Sequence, residues 1–180
     1  MKRTLSSIIM AAAIVVTAIW GTPMRAAAVV PEGYKTFELT GFHVSVPAEF
    51  NKAEGWSTES TISLNSDAVN VLEDGEEYSS SATINAYDME GSIDNLNEYA
   101  QNMKWSVKAM DEECDEPVVE GNTIILRSTS EVGDGYLISW RFIVVNTDGR
   151  IAGGTISYSD AEANIYDGIV TPIIQSIQFK

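Results

Sequence analysis

One cysteine and one histidine stand in 180 residues, and both scarcities exclude chemistry. With Cys114 alone, no internal disulfide can form. Any Ser-His-Asp or Cys-His arrangement, and any metal site built on several histidines, would have to pass through His43. Ser45 shares a strand face with His43, but the two stand side by side, and no G-x-S-x-G elbow occurs anywhere. His43 therefore reads as structural, and we expect no catalytic residue, no metal ligand and no cofactor. Cys114 lies inside Asp111-Glu112-Glu113-Cys114-Asp115-Glu116, the opposite of the electropositive setting that a reactive thiol needs.

Basic residues are scarce too, 11 against 26 acidic ones, for a formal net charge of −15. A field of that sign repels nucleic acid and anionic lipid. Apolar runs long enough to cross a bilayer are missing after the first residues. Lys2 and Arg3, then Ile8 to Trp20, then Ala26-Ala27-Ala28 follow the three-part order of a cleavable secretory signal peptide over residues 1–28. On that reading residues 29–180 form one acidic domain outside the cytoplasm, secreted or periplasmic, with no membrane span after cleavage. Loss of Lys2, Arg3 and Arg25 leaves eight basic residues against 26 acidic ones, a net charge of −18. A chain of this length can fold on its own core.

What is present is mostly β pattern. Tyr34–Leu39, Phe42–Val46, Thr61–Leu64, Ala68–Leu72 and Ser81–Tyr87 read as strands, with Pro47 ending the second. Residues 48–60 read as a polar loop anchored by Phe50 and Trp56. Glu73-Asp74-Gly75-Glu76 is a turn. A helix runs from Ser92 as N-cap to Met110, with Ile93, Leu96, Ala100, Met103 and Val107 three and four apart. Three β-rich segments follow, Thr123–Ser130, Tyr136–Val145 and Ile151–Tyr158, joined by tight turns at Gly133-Asp134-Gly135 and Thr147-Asp148-Gly149. Ser159-Asp160-Ala161-Glu162 is a capping box opening a last helix that Pro172 kinks or ends. Ser176–Phe179 is short and β-like. The expectation is a single α+β domain, an antiparallel sheet of about six or seven strands flanked by two main helices.

The acidic segments Glu73–Glu77 and Asp111–Glu116 lack the alternating spacing of a calcium loop and read as solvated. The meander is more specific. If its first hairpin centres on Asp134, Arg127 faces Arg141; if the second centres on Asp148, Arg141 faces Thr155. One sheet face then collects Ile124, Leu126, Ile138, Trp140, Phe142, Val144 and Ile156 as the bed for both helices. The other carries Arg127, Arg141 and Thr155 in a row. Opposed arginines repel, so carboxylates of the protein, solvent or an anionic ligand must answer them. Arg127, Arg141 and Thr155 are the candidate ligand-binding residues, with Trp56 as a loop contact.

The order of these elements, the strand Phe42-His43-Val44-Ser45-Val46-Pro47 and the closing Ile174-Gln175-Ser176-Ile177 resemble the PsbP-like and DcrB-like group. The resemblance implies an α/β/α sandwich and a mostly non-catalytic set of binding or assembly factors, among them a photosystem II subunit, a nuclear-transport release factor and bacterial envelope proteins. It carries no site residue onto this chain. The expected function is an exported, non-enzymatic binding or assembly module for a protein, peptide or small polar ligand. The alternatives are a small extracytoplasmic hydrolase using carboxylates and a calcium-dependent surface protein.

Overall fold

A computed structural model describes residues 30–53, 55–66 and 82–180, with the backbone of 69–71 and 77–79 besides, and these described residues hold sixteen short elements. The expected leader and the turn at Glu73–Glu76 lie outside the described residues. In chain order the elements are β1 (Tyr34–Glu38), β2 (Phe42–Pro47), β3 (Phe50–Lys52), β4 (Thr61–Ser66), β5 (Val69–Val71), β6 (Glu77–Ser79), β7 (Thr83–Met89) and α1 (Leu96–Ala109). Then come β8 (Glu113–Cys114), β9 (Val118–Glu120), β10 (Thr123–Val132), β11 (Gly135–Val145), β12 (Ile151–Ser159), a 3₁₀ turn (Asp160–Glu162), α2 (Ala163–Gln175) and β13 (Gln178–Phe179). The fold is α+β with antiparallel pairing throughout the described sheets.

An eight-stranded sheet in the order β3-β4-β7-β12-β11-β10-β8, with β9 beside β8 on the β10 edge, is the platform. Its pairing lines side chains into rows. Leu64, Ile84, Ile156 and Trp140 share one face; Ser63, Asn85, Thr155 and Arg141 share the other. The first face packs on α2, through Tyr166, Val170 and Ile173, and on the three-stranded sheet β1-β2-β13 through Phe42, Val44 and Phe179. The second face holds a smaller core of Ile124, Ile143 and Ile151 under Ala100 of α1. The two helices therefore lie on opposite faces, not on a common bed.

The cause is the first hairpin. Val132 pairs Gly135 across a two-residue turn at Gly133-Asp134, with Gly133 at φ 61. That register sets Arg127 opposite Trp140 and Arg141 opposite Leu126. A slip of one residue against the expected centre sends every side chain of β10 to the other face, so Ile124 and Leu126 leave the Trp140 face and the two arginines part. The second hairpin has the expected register, with Arg141 opposite Thr155.

Four local readings change. Asn95, not Ser92, caps α1, its side-chain oxygen accepting from Asn97 N at 3.1 Å and Glu98 N at 3.2 Å. Ser159 makes no side-chain cap, and a 3₁₀ turn precedes α2. Pro172 sits inside α2, which runs on to Gln175. Phe50 is buried in β3, whereas Trp56 is 79% exposed and anchors nothing.

Candidate functional site

Between α1 and the second sheet face lies a cleft of about 350 Å³, and it contains two of the expected site residues, Arg141 and Thr155. Helix α1 is pinned over the sheet by the buried Ala100 and Val107, while the exposed Asn102 and Ser106, four residues apart, form the outer lip. Its floor comes from adjacent strands: Tyr87 on β7, Thr155 on β12, and Arg141 and Ile143 on β11. The small Gly153 beside them makes room, since a Cβ there would lie 2.6 Å from the Tyr87 ring. Tyr99, Met103 and Met110 close the helix side.

Arg141 is held, not free. Its Nη2 donates to Glu112 Oε1 at 2.9 Å, its Nη1 donates to Ser128 Oγ, and Ser128 Oγ donates in turn to Glu112 Oε2 at 2.8 Å. The Arg141 and Glu112 side chains are only 22% and 15% exposed, so the pair is largely desolvated and its charges cancel locally. A guanidinium has five N–H donors, so the ring leaves donors over while removing the net charge. The Tyr87 phenol is pushed above its usual range by burial and by Tyr99, with Arg141 opposing. The hydroxyls of Tyr87, Tyr99 and Thr155 have no hydrogen-bond partner among the described residues. The cleft is thus an apolar slot with neutral hydroxyl and amide groups beside the paired Arg141, and no carboxylate among the described residues lines it.

The remaining candidates lie elsewhere. Arg127 is on the opposite face, its guanidinium carbon 5.8 Å from the Trp140 ring and its Nη1 3.7 Å from Asp115. Beside it Trp140 Nε1 donates to Tyr158 Oη at 2.6 Å, and Tyr158 donates to Asp167. Both arginines are answered by the protein's own carboxylates, and they do not share a site. Trp56 stands on the β3–β4 connection, outside the cleft. His43 lies on the small sheet, 3.8 Å from Glu38. Sequence reasoning missed Tyr87, Tyr99, Asn102 and Ser106; the last three follow helical spacing along the α1 face next to Met103, a signal that was legible.

No family model matches the chain, and no curated protein matches it in sequence. Solved structures share its fold. The Ran-binding protein Mog1p of Saccharomyces cerevisiae is 13% identical with a TM-score of 0.53, over 81% of this chain and 94% of Mog1p. A mutant form of Mog1 is 12% identical with a TM-score of 0.53, over 81% and 95%. At such identity the likeness is one of fold.

These findings correct two expectations. The resemblance to the PsbP-like and DcrB-like group does not hold: the two solved structures described share this fold as forms of Mog1, and no family model matches. Its motifs, a strand stopped by proline and an Ile-x-Ser-Ile exit, mark the local ends of β2 and α2. The extracytoplasmic address is corrected as well, because the solved neighbours are forms of a Ran-binding protein, which points against it. A basic start, an apolar stretch and small residues make a pattern of composition, and the residues that carry it lie outside those described.

Proposed function

We propose that residues 29–180 act as one non-enzymatic recognition module, and that the cleft under α1 receives a neutral polar segment of a protein partner. The observation that carries the reading is the likeness of fold to a protein named for binding Ran, over most of both chains. The cleft supports it in kind. Its volume of about 350 Å³ admits a side chain or a short peptide stretch. Its one charge is cancelled by Glu112, so it suits amides and hydroxyls better than free anions. No carboxylate among its described lining residues serves the hydrolase alternative.

The test is co-purification with the tagged full chain, unaltered and as Ser106→Trp, from cells that naturally make it. Ser106 is exposed on the outer lip, so the indole fills the cleft without entering the core, and matching melting curves check the fold. A stoichiometric protein that follows the unaltered chain and is lost from Ser106→Trp is the expected result. A protein that follows both chains equally rejects the cleft; none at stoichiometry rejects the module.

A further inference from the structure

The acidic run that closes α1 is sorted by its partners. Glu112 faces Arg141, Asp115 faces Arg127 and Glu116 faces Lys104. Asp111 and Glu113 have no ion-pair partner among the described residues, and neither has Glu131 of β10. Those three unanswered carboxylates line one hollow of about 480 Å³, together with Met110 and Tyr136. Met110 is 58% exposed and Tyr136 50%. Two of the seven large apolar residues exposed among the described residues thus line one hollow of a strongly acidic molecule. Scattered singles need no explanation, but a gathered set does.

We propose that this corner docks a lysine- or arginine-bearing segment of a protein partner. The chemistry fits that occupant in two parts. A basic side chain has an apolar stem, which packs along Met110, and a cationic head, which meets the Tyr136 ring and the carboxylates. A divalent ion is a poorer match, because no group of three or more acidic, histidine or cysteine side chains among the described residues converges to hold one. The edge of β10 adds an extended backbone. Its pairing with β8 ends at Thr129 opposite Glu113, so Ser130–Val132 pair only with β11. A strand edge of this kind accepts a peptide in extended form. The proposal rests on the recognition-module reading, whose cleft meets this hollow at Met110, a residue of both linings.

The experiment titrates the isotope-labelled full chain with an acetylated arginine-serine repeat octapeptide and follows amide shifts by NMR. Shifts centred on residues 110–113 and 130–136 are expected, with binding at least about tenfold weaker in Glu113→Lys/Glu131→Lys. Glu32→Lys/Glu59→Lys carries the same change of net charge on exposed positions elsewhere and should keep the affinity. Shifts spread over the whole acidic surface, or equal weakening in both double variants, overturn the proposal. If the co-purifying partner is lost from Ser106→Trp but kept by Glu113→Lys/Glu131→Lys, the docking corner falls and the module stands. If the peptide maps to the corner and no partner co-purifies at stoichiometry, the docking surface stands and the module reading falls.

Discussion

Arg127 lies over Trp140 across the first hairpin, 5.8 Å from guanidinium carbon to ring, while Trp140 donates through Nε1 to Tyr158. The stack is half-covered, so Arg127→Ala should cost about 0.5–1 kcal/mol in urea unfolding. Trp140 emission should shift in the same variant. A loss no larger than that of Asp115→Ala would assign the effect to the exposed ion pair instead, which is worth little.

The Arg141–Glu112 pair gives a sharper contrast. Glu112→Gln leaves a desolvated guanidinium without its counter-charge and should cost about 1–3 kcal/mol. The double variant Glu112→Gln/Arg141→Met removes both charges and should recover most of that loss. Additive losses in a double-mutant cycle would mean that the two side chains do not act as a pair.

Gly154 and Gly153 are adjacent but unequal. A Cβ at Gly154 would lie 2.3 Å from the Phe142 ring and 2.4 Å from the backbone oxygen of Asn85, in the larger core. A Cβ at Gly153 meets only side-chain ends, Tyr87 at 2.6 Å and Met89 at 2.8 Å. Gly154→Ala should therefore lose about 3 kcal/mol or fail to fold, and Gly153→Ala should lose less. Denaturant midpoints settle the order.

Alkaline pH should act through Tyr158. Burial, and then donation to Asp167, hold its phenol well above the ordinary value of 10.0. The native pKa is raised, so this contribution is complete below the unfolded value and is lost as pH climbs toward the native one. Urea midpoints should fall from about pH 10 upward, and the fall should be shallower in Tyr158→Phe. An unchanged slope in that variant would detach the effect from Tyr158.

Much of the fold was legible because strand pattern is local. The expected Tyr136–Val145 and Ile151–Tyr158 segments match β11 and β12 to within a residue, and the turn around Asp148 left one register. The first turn did not. Gly133-Asp134-Gly135 offers two glycines, so loops centred one residue apart are both free of backbone strain. Packing decides between them by placing Ile124 and Leu126 under α1. The candidate site followed that error: Thr155 opposite Arg141 was right, while Arg127 was assigned to the wrong face. Trp56 failed only as the anchor of its loop, since an aromatic in a polar loop carries no sign of whether anything will cover it.

The pairing of β13 with β2 has a consequence for how the chain is made. Phe179 stands opposite Phe42, and Ser176 Oγ both accepts from Ser45 N at 2.8 Å and donates to Ser45 O at 3.0 Å, 131 residues back along the chain. During synthesis, β1 and β2 emerge first and wait with their inner edge unsatisfied until residues 176–179 leave the ribosome. Closure of the larger core is therefore a late, non-local step.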